Sequence, residues 1–156
     1  MLPDPVFDGE PLRVVIQRAD SARVTVDDEV TGEIKKGLVL LVCFEQGDNR
    51  DLIPKACEKI SKLRCFNDEA GKMNLNIQQV QGEILSVSQF TLSWDGSGGH
   101  RPSFERSLHP GEARMLWLDF NRTLRGQGIN VHEGRFGCEM KVQITNDGPV
   151  TFIMNF

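Results

Sequence analysis

The sequence is short of the features that mark membrane, secreted and metal-binding proteins. No apolar run approaches the roughly 18 residues that a membrane-crossing helix needs. The N-terminal residues MLPDPVFDGEP have neither the basic start nor the apolar stretch of a secretory signal. These absences predict a soluble cytoplasmic protein that makes no membrane contact.

Cysteine and histidine are too few and too scattered to indicate a metal site. The four cysteines form no C-x-x-C pair, and the three histidines lack the spacing of zinc ligands. Cys43 lies in the apolar run LVLLVCF and Cys57 in a helical apolar stripe, where free cysteine acts as a small hydrophobic residue. We therefore expect Cys43 and Cys57 to be reduced and buried, and we expect neither a metal nor another cofactor.

The charge balance excludes a protein that binds nucleic acid through an overall positive surface. Eighteen basic and 22 acidic side chains give a formal net charge of −4. An RNA contact therefore has to be local, and DNA is not an expected partner. Residues 100–125 hold five arginines against three acidic residues, which fits a local RNA contact or a solvated helix face equally well.

The chain has the length and the apolar patterning of a single domain. Its 156 residues leave no room for a second core of similar size. Short β-branched runs around Asp27 and Asp28 predict a hairpin, and GLVLLVCF predicts a central strand that is buried on both faces. Residues 1–11, rich in proline and acidic residues, predict a flexible extension before a domain of residues 12–156.

Two segments change from the strand period to the helical period. Apolar side chains recur at helical spacing in residues 48–64, and again in residues 111–127 at Leu116, Phe120 and Leu124. The segments EILSVSQFTL, EMKVQIT and PVTFIMN return to the strand pattern. The predicted fold class is therefore α/β: one sheet-rich domain with about seven strands in β-layers and two main helices packed on one side.

Familiar catalytic motifs are missing, but two polar segments are unusual for purely structural strands. The sequence has no G-x-S-x-G, P-loop or H-E-x-x-H. One unusual segment is residues 88–91 at a predicted strand end, and the other is residues 146–151 between the last two predicted strands. A cis bond between Gly148 and Pro149 would point two carbonyls the same way, toward an ammonium group. An ordinary turn is the commoner alternative.

Six short motifs follow one another along residues 12–155. They are VIQR at 15–18, GKMN at 71–74, SQFTL at 88–92, RPSF at 101–104, GRFG at 134–137 and NDGPVT at 146–151. Any one of them alone is a weak signal, whereas six collinear motifs over nearly the whole domain are specific. In this set and order the sequence resembles the D-aminoacyl-tRNA deacylase family.

The resemblance implies a homodimeric enzyme that hydrolyses the ester between a D-amino acid and the terminal adenosine of tRNA, and that also accepts glycyl-tRNA. It further implies a cis Gly148–Pro149 motif that reaches into the pocket of the second subunit, where its carbonyls accept the substrate α-ammonium. An L side chain would collide with the motif, whereas a D side chain points into open space. Arg18 matches the arginine that holds the motif in place.

Residues 88–91 match the family's strand-end motif. The resemblance implies that backbone N–H groups, with Phe90 foremost, stabilise the oxyanion and that Gln89 seats the adenosine. Ser88 and Thr91 belong to the same catalytic segment, but no histidine or lysine lies near Thr91 in sequence to activate its hydroxyl as a nucleophile. An RNA-assisted mechanism that uses the tRNA 2′-hydroxyl fits better. Core packing is the favoured role for the side chains of Phe90 and Leu92.

Three other functions compete with the D-specific enzyme. They are a sister-type tRNA deacylase with relaxed chirality, a non-catalytic RNA-binding domain of the same fold, and a small-molecule esterase that uses Ser88 or Thr91. The intact motifs disfavour all three. The loop at residues 95–99 is glycine-rich where relatives often carry lysines, which predicts a weaker or differently placed contact with the tRNA acceptor stem.

Overall fold

The computed structural model describes residues 12–156, and the predicted flexible extension at residues 1–11 lies outside them. The elements are β1 (Arg13–Val26), β2 (Glu29–Ile34), β3 (Gly37–Cys43), α1 (Leu52–Lys62), β4 (Phe66–Asn67), β5 (Met73–Leu75), β6 (Glu83–Ser88), a 3₁₀ turn (Phe90–Ser93), α2 (Pro110–Gly126), β7 (Val131–Glu133) and β8 (Lys141–Asn155). The predicted α/β class with two helices is confirmed. The described residues form eight strands, where about seven were predicted.

The long strand β1 and the buried strand β3 organise the main sheet. Its strand order is β2-β1-β3-β6-β7, and β8 pairs with β1 outside this path. β1 turns into β2 through Asp27 and Asp28, whose φ angles of 49° and 63° are those of the predicted tight hairpin. β3 is parallel to β6, and β6 is parallel to β7. Parallel neighbours need crossover connections, which contain α1 and α2 respectively.

Both helices pack against one face of the sheet through the predicted apolar stripes. α1 buries Ile60 and α2 buries Phe120, and both side chains join one core with the β3 residue Leu40. Val39, the next residue along β3, belongs to a second core. Because successive side chains of a strand point to opposite faces, β3 is buried on both faces, as predicted.

Cys43, Cys57 and three arginines of residues 100–125 have the surroundings of structural residues. Cys43 and Cys57 are buried and free, as expected. Within residues 100–125, three of the five arginines are in ion pairs, which favours the solvated-surface interpretation for these three. The pairs are Arg106–Asp95, Arg122–Asp119 and Arg125–Glu133.

The last two predicted strands are one continuous strand, β8, so the predicted break between them was wrong. The pairing of β8 with β1 shifts register on both sides of Ala19. Asn146 bridges this irregularity, because its Nδ2 donates to the carbonyl of Arg18 at 2.8 Å and to that of Val150 at 3.0 Å. Residues 146–150 therefore form a bulge within the strand, where side-chain hydrogen bonds replace part of the backbone ladder.

Candidate functional site

A cleft of about 640 Å³ opens where β3 and β6 end and α2 begins. Its wall includes Ser88, Gln89 and Phe90 from the end of β6, together with Phe104 and His109 from the segment before α2. β6 ends at Ser88 and the 3₁₀ turn starts at Phe90, which confirms that the predicted polar segment lies at a strand end.

The 3₁₀ turn presents two backbone donors that have no acceptor in the described chain. Gln89 keeps the last sheet-type bond, from its N–H to the carbonyl of Val42 at 2.8 Å. The N–H of Leu92 then donates to the carbonyl of Gln89 at 3.3 Å. Between them, the N–H groups of Phe90 and Thr91 have no hydrogen-bond acceptor within residues 12–156. This is expected at the start of a helical turn, whose first N–H groups lack an acceptor inside the helix.

The side chain of Phe90 does not belong to the core, so the predicted core packing was wrong for this residue. It is 55% exposed, and its ring packs edge-on against Phe104 with the ring centroids 5.1 Å apart. Leu92 is half-buried. The 3₁₀ turn is the physical reason, because it ends the strand alternation on which the prediction for position 90 relied.

The cleft contains no activated side-chain nucleophile among the described residues. Thr91 lies outside the cleft wall, and its hydroxyl accepts a hydrogen bond from Nε2 of Gln89 at 2.5 Å. Within residues 12–156, no histidine, lysine or carboxylate is hydrogen-bonded to the hydroxyl of Thr91 or Ser88. Cys43 lines the cleft, but burial raises the pKa of its thiol to about 12, so it remains protonated at neutral pH.

Sequence reasoning missed His109, which lines the same cleft. Its Nδ1 accepts the N–H of Gly111 at 3.2 Å and caps the start of α2. An imidazole that accepts at Nδ1 carries its proton on Nε2, so Nε2 of His109 is a hydrogen-bond donor. The following Pro110 is a helix-start signal, but that signal does not reveal that the cap borders the cleft.

A partly buried charged group supports the 3₁₀ turn from β1. Arg13 donates from its guanidinium to the carbonyl of Leu92 at 2.7 Å, and it lies 3.9 Å from the carboxylate of Glu45. Asp48 accepts the N–H of Glu45 at 2.6 Å. Burial raises the pKa of Asp48 to about 7 and also raises the pKa of Glu45. Arg13 therefore ties the turn that carries the two unpaired amides to the central sheet.

The remaining predicted residues, Arg18, Gly148 and Pro149, meet at the bulge of β8. Arg18 is 6% exposed, and its Nε donates to the carbonyl of Asp147 at 3.2 Å and lies 3.3 Å from the Asp147 carboxylate. Its Nη1 donates to the carbonyl of Cys65 at 2.8 Å. The Gly148–Pro149 bond is cis, and the φ of 130° at Gly148 is one that residues with a side chain rarely adopt.

The two predicted segments do not meet within one chain. Ser88 pairs with Val42, which pairs with Val14, whereas the β8 bulge lies beside residues 17–19 of β1. Ser88 and the bulge are therefore three strand spacings apart across the sheet and about four residues apart along the strands. This gives a separation of roughly 20 Å. Accordingly, neither Gly148 nor Pro149 lines the cleft.

Comparison with known proteins identifies the family. The family model described as D-Tyr-tRNA(Tyr) deacylase matches residues 15–155. The chain belongs to this family. A family relative named D-aminoacyl-tRNA deacylase, from Lactobacillus gasseri, is 49% identical over 144 residues, which are 92% of this chain and 99% of the relative. The family expected from the six motifs is thereby confirmed.

Two solved structures share the fold over almost the whole chain. One, called c-Myc DNA Unwinding Element Binding Protein, has a TM-score of 0.86 at 34% identity and covers 92% of this chain and 98% of its own. The second, a probable eukaryotic D-amino acid tRNA deacylase, has a TM-score of 0.82 at 15% identity and covers 93% of this chain and 99% of its own. At 15% identity the second likeness concerns the fold alone.

Metal ligands and membrane-spanning helices were also sought in the described part of the chain. Residues 12–156 contain no group of three or more His, Cys, Asp or Glu side chains that could hold a metal ion. None of the helices formed by these residues has the length and apolar character needed to cross a membrane.

Proposed function

We propose that this chain hydrolyses the ester bond of D-aminoacyl-tRNA in the cytoplasm and releases free tRNA and the D-amino acid. The observation that carries the proposal is the N–H of Phe90, a residue of the cleft wall, which has no acceptor in the described chain; the adjoining N–H of Thr91 has none either. Ester hydrolysis passes through an intermediate with a negatively charged oxygen, and one such donor is typically worth ~10²–10³ in rate. Family membership supports the choice of substrate.

The 2′-hydroxyl of the terminal adenosine supplies the reactive group that the protein lacks. Water, oriented by this hydroxyl, attacks the ester carbon, and the negative charge that develops on the carbonyl oxygen is stabilised by the N–H of Phe90. The bond to the 3′-oxygen then breaks, and this oxygen takes up the proton lost by the water. Ser88 contributes to the wall, Gln89 seats the adenosine, and Thr91 holds the Gln89 amide through its hydroxyl.

Selection for the D configuration is assigned to Gly148 and Pro149 of a second copy of the chain. Their carbonyls accept the substrate α-ammonium, so that an L side chain is directed against the motif and a D side chain away from it. Glycine has no side chain to exclude, so glycyl-tRNA is accepted as well. The separation of roughly 20 Å within one chain supports an exchange between subunits, which a two-fold dimer makes twice.

The purified protein is expected to release D-Tyr or D-Asp from tRNA and to spare the corresponding L-aminoacyl-tRNAs. The measurement is the rate of ester loss for matched D and L substrates, corrected for spontaneous hydrolysis without protein. Equal rates for both enantiomers would instead identify the sister-type deacylase with relaxed chirality. Binding of tRNA without any hydrolysis would identify a non-catalytic RNA-binding domain.

The protein is also expected to be an obligate homodimer, because each chain would supply only half of a complete site. Light scattering at the concentration of the activity assay should give twice the chain mass of 17.5 kDa. Specific activity should fall on dilution in parallel with the dimer fraction. A fully active monomer would contradict the exchange between subunits.

A further inference from the structure

The 3₁₀ turn leads into an exposed tryptophan that the site described above does not use. The backbone N–H of Trp94 donates to the carbonyl of Thr91 at 3.2 Å, so this residue directly continues the turn that carries the unpaired amides. Its side chain is 41% exposed. At the opposite end of the turn, the exposed ring of Phe90 borders the cleft.

The loop after the turn holds the indole in position. Nε1 of Trp94 donates to the carbonyl of Ser97 at 3.3 Å. Asp95 accepts hydrogen bonds from the N–H of Ser97 at 2.9 Å and from its hydroxyl at 2.5 Å, and it pairs with Arg106 at 2.9 Å. Bonds from Ser97 keep the pKa of Asp95 below its ordinary value, so the pair with Arg106 persists at neutral pH. A ring that is already ordered loses little entropy when a ligand covers it.

The surroundings of Trp94 fit a nucleic-acid strand better than a protein partner. The residues that follow, 95–99, are exposed and are only aspartate, glycine and serine, so this loop adds no apolar surface beside the indole. The core of a protein interface is usually an apolar patch. Single-stranded nucleic acid, by contrast, is commonly held by isolated aromatic rings on which its bases stack.

We propose that Trp94 is a stacking site for the single-stranded 3′ end of tRNA, on the nucleotide that immediately precedes the terminal adenosine. This inference rests on the proposed function, which places the terminal adenosine in the cleft next to Phe90. Stacking on an aromatic face needs no positive charge, which suits a chain with a net charge of −4 and a loop at residues 95–99 without lysine. His100 and Arg101, both exposed, follow this loop and are available to the adjoining phosphates.

The test uses uncharged tRNA, which binds without being consumed, in two forms: intact, and lacking its last two nucleotides. The chain has two tryptophans, and Trp117 is only 3% exposed, so quenching of the fluorescence by tRNA reports on Trp94. We expect quenching by intact tRNA only. Trp94→Ala should weaken the binding of intact tRNA about tenfold or more and raise KM for D-aminoacyl-tRNA with kcat retained, whereas Trp94→Phe should keep most of the affinity.

Met115→Ala is the matched control, because Met115 is also exposed, at 55%, on the outer face of α2. It should bind both tRNA forms like the wild type. Three results with Trp94→Ala would each overturn the stacking site. They are an unchanged affinity for intact tRNA, an equal loss of affinity for intact and truncated tRNA, and dissociation of the dimer. Because the titration needs no catalysis, quenching by intact tRNA without D-ester hydrolysis would refute the proposed function alone. Hydrolysis without any effect of Trp94→Ala would refute the stacking site alone.

Discussion

A D-aminoacyl-tRNA that ends in 2′-deoxyadenosine is expected to bind with nearly normal affinity and to be hydrolysed roughly 10²-fold or more slowly than its ribose counterpart. The proposed mechanism relies on the unpaired N–H of Phe90, and the described residues that line the cleft include no hydroxyl or thiolate prepared for attack. Removing the 2′-hydroxyl therefore removes a group that orients the reaction, for which the protein has no replacement. Single-turnover rates of the two substrates, both esterified at the 3′-oxygen, measure this difference.

Thr91→Ala and Ser88→Ala provide the complementary measurement. Loss of a true nucleophile typically reduces turnover by several orders of magnitude. The structure leads us to expect that both variants keep activity within about tenfold. Thr91 lies outside the cleft wall, and within residues 12–156 no histidine, lysine or carboxylate is hydrogen-bonded to the hydroxyl of Ser88. Rapid hydrolysis of the deoxy substrate, together with an inactive Thr91→Ala enzyme, would restore a side-chain nucleophile and overturn the RNA-assisted mechanism.

The elements that could be predicted are those in which local pattern and tertiary burial agree. The stripe of Leu116, Phe120 and Leu124 predicts α2 because the same helical period decides which residues the sheet covers. β3 could be predicted because a short continuous apolar run is stable only when both faces are covered. The hairpin at Asp27 and Asp28 follows from a two-residue polar break, which is too short for any other connection between strands.

The errors arose where tertiary contacts overrule the local pattern. The polar residues 146–151 predict a break between strands, yet Asn146 bridges the bulge and keeps β8 continuous. The sequence places Phe90 at the end of an apolar strand and so predicts that its side chain is in the core. The 3₁₀ turn instead directs its ring outward. β4 and β5, with two and three residues, are too short to show any period.

The residues of the two motif segments could be named from the sequence, but their arrangement could not. Ser88 and Gly148 are sixty residues apart in sequence, and only the register of β8 and β6 against the central strands shows that they lie far apart within one chain. His109 joins the cleft through the position of α2, which no local signal encodes. Trp94 follows a recognisable motif, but its exposure depends on the turn and the loop on either side of it.

Arg18→Ala is expected to reduce kcat/KM for D-aminoacyl-tRNA roughly 10²-fold and to narrow the difference between D and L substrates. Arg18 connects the bulge of β8 at Asp147 to the carbonyl of Cys65, so its loss frees the segment that carries Gly148 and Pro149. A displacement of about 1 Å in a group that positions the substrate is enough for a rate loss of this size. Rates with matched D and L substrates measure both effects, and the D/L ratio separates positioning from a general loss of active protein.

Two further variants test whether the lost activity and the narrowed D/L difference come from displacement of Gly148 and Pro149. Arg23→Ala removes an exposed arginine of the same strand, β1, which also bonds to β8, at Gln143, but away from the bulge. It should leave activity and the D/L ratio unchanged. Arg18→Lys keeps the charge but loses the planar fork that reaches Asp147 and Cys65 together, so it should fold and still discriminate poorly. Arg18→Ala also removes a donor to the buried carbonyl of Cys65, which lowers the free energy of unfolding by about 1–3 kcal/mol. Rates are therefore compared well below the unfolding temperature of each variant. A folded Arg18→Ala protein with a wild-type D/L ratio would show that Arg18 does not position the motif.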